Sequence, residues 1–416
     1  MRAYHISGGV PLCGEVCVSG AKNAVLPILA AALVSSKPSV LYHCPDISDV
    51  TNAVSIMKSL GCEVERNKDR IYIDASDIRS SDISPFFMEK MRAAIIFLGA
   101  LLARFGEAKI SQPGGCKLGE RPIDLHLMGL RLMGYRCEYQ GERLYCCAEK
   151  LRGCTIALPF PSVGATENLI LAALRCPEEV VICNAAKEPE ICDLILYLRK
   201  CGAHICGENT SVLRICGGRT LLGAEYTVMP DRMEAATFLC AAATTRGSLC
   251  LKNVCPEHTC AVNRMLCNAG CKIRQGDGRM EICCDTLNAV GPIRTAPYDA
   301  FPTDAQAPMM AAMATARGVS VFEENVFSDR YRHVPALLQM GAKIRATGRC
   351  AIVEGVDRLH GAGVAATDLR GGAAMVLAAL CAEGESVVSN IFHMERGYEC
   401  FAKKLSACGA KIRITE

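Results

Sequence analysis

Tryptophan is absent from the 416 residues and aromatic side chains make up only 5% of them, so the core must be built from Ala, Leu, Ile, Val, Met and Cys. Neither charge is in marked excess: 46 basic residues face 43 acidic ones for a formal net charge of +3. That balance removes the global positive field that marks nucleic-acid binders, so any basic site must be local. No stretch reaches membrane-spanning length without Gly, Pro or charge, and the opening residues MRAYHISGGVPLCGEV lack an apolar run long enough for a signal peptide. The expected location is cytoplasmic. A CxxC pair is also missing, although there are 27 cysteines. Zinc and disulfide frameworks need clustered, repeated spacings, so these thiols read as small buried hydrophobes in a reducing compartment, with no metal site expected. At this length one ordinary core is insufficient, and two or more domains are expected.

What is present is a repeat. The pattern LxxxG followed by an alternating strand recurs as SIMKSLGCEVE, LRLMGYRCEY, LRKCGAHICG, MLCNAGCKIR, LLQMGAKIRA and KLSACGAKIRI. Its glycines are Gly61, Gly134, Gly202, Gly270, Gly341 and Gly409, at intervals of 73, 68, 68, 71 and 68. Each reads as the left-handed residue that ends a helix. Upstream in every unit lies a second helix rich in Ala and Leu, such as AKNAVLPILAAAL at 21 to 33 or LRGGAAMVLAAL at 369 to 380. Such helices are apolar nearly all round, which predicts burial on every side. The unit is therefore helix, strand, loop, helix, strand, strand, and three units around their inner helices make one domain. The expected fold class is α/β, two domains of three repeats each. One runs from 1 to 20 and from 230 to 416, and the other from 21 to 229, with the lead-in strand completing the C-terminal half.

Charge falls at the start of each buried helix: Lys22 and Asn23, Arg92, Ser162 to Thr166, Asp231 and Arg232, Asp304, and Asp368 with Arg370. The Asp and Ser residues have a structural explanation as helix caps. Lys22, Arg92 and Arg370 do not, because cations at a positive helix end are unfavourable unless an anion lies between. Helix starts with added Lys and Arg suit phosphate or carboxylate. If equivalent positions of six units gather at one end of each domain, the two domains present them to a shared cleft. One loop stands out, PGGCKLGERPIDLH at 113 to 126, expected to be neither helix nor strand after an apolar helix over 90 to 106 and a short strand at 108 to 111. Its Cys116 sits among basic neighbours, which favours a thiol acting as acid or nucleophile. The competing reading is one more free thiol in a Cys-rich chain.

Taken together, SGAKNAVLP (19 to 27), KMRAA (90 to 94), the loop PGGCKLGERPIDLH, PSVGATEN (161 to 168), NAAKEPEICD (184 to 193), MPDR (229 to 232), AFPTDAQA (300 to 307), DRYRHV (329 to 334), ATDLR (366 to 370) and ERGYE (395 to 399) resemble the enolpyruvyl transferase family, most closely its UDP-N-acetylglucosamine 1-carboxyvinyltransferases. The resemblance implies two inverse α/β barrels that close on substrate. It also implies transfer of the enolpyruvyl group of phosphoenolpyruvate to the 3-hydroxyl of UDP-N-acetylglucosamine with release of phosphate, at the entry to peptidoglycan precursor synthesis. No cofactor, nucleic acid, membrane or obligate protein partner is implied.

Carried onto this sequence, Cys116 becomes the acid at the methylene carbon and the target of an epoxide phosphonate such as fosfomycin. Asp304 becomes the base. Lys22, Asn23, Arg121 and Arg396 hold phosphoenolpyruvate, with Arg330 and Arg370 nearby, and Lys22 and Arg396 count with the catalytic set. Asn23, Arg92, Arg121, Pro122, Ile123, Asp124, Leu125, Ser162, Val163, Gly164, Asp304 and Val326 match positions that hold the nucleotide sugar. Glu188, Glu190 and Asp231 read as orienting groups. Phe160 stands where some relatives have a basic residue, a departure at one diphosphate contact. The alternatives are a nucleotide-sugar-binding paralogue without turnover and the sister 5-enolpyruvylshikimate-3-phosphate synthase, which is not expected to carry the PGGC loop.

Overall fold

The computed structural model describes residues 2–114 and 122–415. The chain divides into two compact units, one taking the residues up to Ser19 and from Pro230 onward, the other the described residues between Gly20 and Met229. Each has its own apolar core, and the two cores share no residue. Among the described residues no helix is long and apolar enough to cross a membrane.

In the unit spanning Gly20 to Met229 the inner helices are Lys22–Ala32, Ile96–Phe105 and Val163–Ala173. Nine residues of the first, Ala24 to Ala32, are buried. An Ala- and Leu-rich sequence permits this because its small side chains let neighbouring helices approach closely. Gly99 shows the limit: a Cβ there would stand 2.4 Å from the Asn168 carbonyl oxygen, so no larger residue fits where these two helices meet. In the other unit the inner helices are Arg232–Thr245, Thr303–Met313 and Leu369–Cys381, the first buried along its whole length.

Three sheets cover the inner helices of each unit. A full repeat places its strands in the order seen for Ile293–Arg294, Val319–Glu323, Cys350–Glu354 and Lys343–Thr347, the first pair parallel and the others antiparallel. The last repeat contributes Gly363–Ala365, Glu385–Ser389 and Lys411–Thr415 to its sheet. Ala3–Ser7 lies between the last two of these, pairing antiparallel on both sides with Tyr4 opposite Val388 and Ile414. Two further strands are exchanged. Cys13–Cys17 adds parallel to Ser248–Lys252, and Glu225–Thr227 adds parallel to Ser39–Tyr42. The chain therefore leaves each unit through a strand held in a hydrogen-bonded ladder.

All six repeat glycines have positive φ, from 91° to 104°, in the region that costs a β-carbon energy and costs glycine none. Two sequence expectations fail locally. The predicted helix over 90 to 106 is broken: Pro85–Lys90 is one short helix, Met91 is extended with φ −147°, and Arg92–Ile95 is a 3-10 turn leading into Ile96–Phe105. Burying the Met91 side chain turns the chain so that Arg92 stands at a helix start. The 113 to 126 stretch is also not wholly irregular, since Asp124–Leu132 is helical. Asp124 sits in its first turn, where the positive helix end favours a carboxylate.

Candidate active site

In the unit that ends at Met229, three helix starts are tied together by one amide. Asn168 Oδ1 accepts the Gly99 N–H at 2.6 Å, and Nδ2 donates to the Ile95 carbonyl at 2.9 Å and to His126 Nδ1 at 3.0 Å. These bonds join the turn that opens at Arg92, the helix that opens at Asp124 and the helix that follows Ser162. Because the amide donates, His126 Nδ1 must accept, which fixes the neutral ring with its proton on Nε2. Burial, followed by the nearby charge of Arg92, pushes the His126 pKa down to about 4, with Asp124 acting in the opposite sense. Gly164 lies against the same ring, its Cβ position 3.5 Å from His126 Cε1. Ser162 caps its helix by accepting the Ala165 N–H at 3.4 Å, leaving Val163 and Gly164 in the first turn. Arg92 donates to the Pro113 carbonyl at 3.4 Å, at the edge of the glycine loop. Ile123 is buried, Leu125 is packed on the core and Pro122 is exposed.

Lys22 and Asn23 open the first inner helix of this unit. The Lys22 ammonium is 2.7 Å from Asp49 Oδ2, with the Lys22 side chain 13% exposed and that of Asp49 2%. Asp49 thus supplies an anion beside a cation that would otherwise sit unfavourably at a helix start. Cys116 and Arg121 lie outside the described residues.

In the other unit Asp304 occupies the first turn of Thr303–Met313. It is not a cap. Its Oδ1 takes a hydrogen bond from Arg330 Nη2 at 2.9 Å and its Oδ2 one from Arg370 Nε at 3.1 Å. Both guanidinium groups are buried, at 2% and 3% exposure, while the carboxylate is 29% exposed. Two buried cations thus converge on one partly open carboxylate. Such a group is well suited to a further anion. Burial opposes the charge on Arg370, but Tyr398, Asp304 and Asp231 outweigh it and raise its pKa. Asp231 and Asp368 are caps: Asp231 Oδ1 accepts the Met233 and Glu234 N–H groups at 2.7 and 2.9 Å, and Asp368 Oδ1 accepts those of Arg370 and Gly371 at 3.0 Å each. Both therefore act as the helix caps their position suggests.

Val326 is placed by a group the sequence did not flag. The buried Glu324 carboxylate accepts the Thr303 hydroxyl and the N–H groups of Val326 and Phe327, all between 2.9 and 3.1 Å. It thereby links the Asp304 helix to the Val326 turn. Arg396 is half-buried and its charge helps hold down the His393 pKa, after burial. Phe160 is exposed.

Asp49, His126, Asn168 and Glu324 were missed by sequence reading. Only His126 and Asn168 fell inside quoted motifs, and their pairing across 42 positions has no local signal.

The family profile described as EPSP synthase (3-phosphoshikimate 1-carboxyvinyltransferase) matches residues 6–405. A protein of Carboxydothermus hydrogenoformans named UDP-N-acetylglucosamine 1-carboxyvinyltransferase 2 is 44% identical over 414 residues, covering 99% of each chain. One of Caldanaerobacter subterraneus subsp. tengcongensis, named UDP-N-acetylglucosamine 1-carboxyvinyltransferase 1, is 46% identical over 412 residues and 98% of each. Among solved structures, the enolpyruvyl transferase NikO from Streptomyces tendae aligns over 100% of this chain and 99% of its own with a TM-score of 0.88 at 24% identity. An EPSP synthase from Acinetobacter baumannii aligns over all of both chains with a TM-score of 0.76 at 19% identity.

Proposed function

The chain belongs to the enolpyruvyl transferase family, on the branch of the UDP-N-acetylglucosamine 1-carboxyvinyltransferases, and from that premise we propose that it transfers the enolpyruvyl group of phosphoenolpyruvate to the 3-hydroxyl of UDP-N-acetylglucosamine. The observation that carries the reading is Asp304, fixed at a helix start by two buried guanidinium groups yet open to solvent on one side.

The chemistry asks for an acid and a base. The Cys116 thiol protonates the methylene carbon of phosphoenolpyruvate while the Asp304 carboxylate takes the proton of the sugar hydroxyl. The hydroxyl oxygen then bonds to the adjacent carbon. Phosphate leaves from the tetrahedral adduct as the new methyl group gives a proton back, restoring the double bond. Phosphoenolpyruvate carries about three negative charges near neutral pH, and Lys22, Arg121, Arg330, Arg370 and Arg396 supply the opposing ones. The convergence of Arg330 and Arg370 on the solvent-open Asp304 supports that role for both.

The nucleotide sugar is assigned to Asn23, Arg92, Arg121, Pro122, Ile123, Asp124, Leu125, Ser162, Val163, Gly164, Asp304 and Val326. What supports this assignment is the Asn168 and His126 network, which holds three of the helix starts concerned in one rigid group. Phosphate release from phosphoenolpyruvate, measured with UDP-N-acetylglucosamine and with shikimate 3-phosphate as acceptors, tests the proposal. Turnover is expected with the nucleotide sugar alone. Release only with shikimate 3-phosphate would transfer the chain to the sister activity, and none with either would leave a binding paralogue.

A further inference from the structure

Away from Asp304, three unlike ligand side chains stand together in four consecutive residues. Cys255, Glu257 and His258 place a thiol sulfur, a carboxylate oxygen and an imidazole nitrogen within 4.8 Å of one another. They sit on a short, well-anchored turn. The His258 N–H donates to the Cys255 carbonyl at 3.0 Å, and the Pro256 carbonyl accepts the Thr259 hydroxyl at 3.1 Å and the Asn263 amide at 3.3 Å. With the backbone held, only side-chain rotation remains.

Beside the turn is a pocket of about 200 Å³ lined by Glu257 and His258 together with Arg232, Tyr298, Asp299 and Pro302. Cys255 is half-buried and Glu257 exposed, so the cluster is reachable.

We propose that Cys255, Glu257 and His258 form a binding site for a zinc-type divalent cation, with the fourth coordination position open to this pocket. The donor set selects the ion. A thiolate and an imidazole disfavour magnesium and calcium, which take oxygen ligands, and suit zinc, which binds sulfur, nitrogen and oxygen together. Tetrahedral zinc, with bonds of about 2.0 to 2.3 Å, sets its donor atoms about 3.3 to 3.8 Å apart. The three donors therefore need to close by roughly 1 Å, which χ rotation supplies. Charge is compatible as well: a thiolate and a carboxylate neutralise the dication, so the Arg232 guanidinium, which lies 5.4 Å from the Tyr298 ring centre, meets no net positive neighbour. The free position faces a pocket also lined by Pro302, the residue before Thr303 and Asp304, and its volume of about 200 Å³ leaves room for water or a small oxygen ligand.

The test is titration of the metal-free full chain with cobalt(II) chloride followed by displacement with zinc chloride, in the wild type and in Cys255→Ser, His258→Ala and Cys260→Ser. The wild type should take up one tight equivalent with a tetrahedral spectrum and a sulfur-to-cobalt charge-transfer band. Cys255→Ser should lose that band, His258→Ala should weaken zinc binding more than about tenfold, and Cys260→Ser should change neither. Circular dichroism confirms that each variant is folded. An unchanged band in Cys255→Ser, equal zinc affinity in His258→Ala, loss of the band in Cys260→Ser, or no tight equivalent in the wild type would each overturn the site.

Discussion

Acidification should loosen the helix starts joined by Asn168 before it damages the rest of their unit. His126 can accept from the Asn168 amide only as a neutral ring, and protonation sets donor against donor at 3.0 Å. Its pKa falls from 6.5 to about 4, equivalent to about 3 kcal/mol between the two protonation states. Since the folded value lies below the unfolded one, the stability is fully present above pH 6.5 and is lost as pH falls toward 4. By pH 4.5 the loss amounts to about 2.5 kcal/mol. Urea denaturation of wild type and His126→Gln at pH 7.5 and 4.5 measures it. The variant should be the less stable protein at pH 7.5, yet lose about 2.5 kcal/mol less than wild type on acidification. His333, also pushed down to about 4 by burial, is present in both proteins and cancels in the difference. Equal losses in the two proteins, or a nitrogen NMR spectrum showing Nδ1 of His126 protonated at neutral pH, would refute the network as drawn.

For Asp304→Asn, substrate binding should survive while kcat drops about a thousandfold, and near wild-type turnover in a steady-state phosphate assay would remove it as the base. Replacing Cys116 by Ser should stop alkylation by an epoxide phosphonate as well as slowing turnover, and mass spectrometry finding the adduct at another thiol at the same rate would reject the assignment. Asp49→Asn removes the anion 2.7 Å from Lys22. The expected result is a raised KM for phosphoenolpyruvate and a loss of about 3 kcal/mol in denaturant titration, and an unchanged KM would separate Asp49 from substrate handling. Among the described residues every cysteine is a free thiol, but Cys137 is the cross-strand partner of Cys146, and Cys271 and Cys284 adjoin the Lys272 and Cys283 pair. Antiparallel partners lie about 4.5 to 5.5 Å apart between Cα atoms, inside the range a disulfide spans. All four are buried, so diamide added at a sub-denaturing urea concentration, which admits it by local opening, should link Cys137 to Cys146 and Cys271 to Cys284, read by non-reducing peptide mapping, and absence of both links would contradict the register.

Much of the scaffold was legible because it repeats. A glycine that must take positive φ, an Ala- and Leu-rich helix without a polar face and an alternating strand each leave a local mark, and six copies make the marks unmistakable. The helix starts were legible for the same reason, since charge on an otherwise buried helix emerges at its end. The break at Met91 was not, because nothing in KMRAAIIFLG opposes a continuous helix. Burial of one methionine in an extended conformation decides it. Nor could the sequence separate cap from site residue: Asp231, Asp304 and Asp368 look alike in the chain, yet two cap their helices and one is gripped by arginines from two other segments.

The sequence by itself determined the kind of protein this is: the sixfold unit, the α/β class and the motifs of the enolpyruvyl transferase family. These follow from short-range preferences and from residue chemistry that survives in any context. Only the tertiary structure decided which charge answers which. Asp49 is 27 positions from Lys22, Arg370 is 66 from Asp304, and the lead-in strand completes a sheet with residues near the other end of the chain. Pairings across such distances depend on how the helices and sheets pack, and no local spacing encodes them.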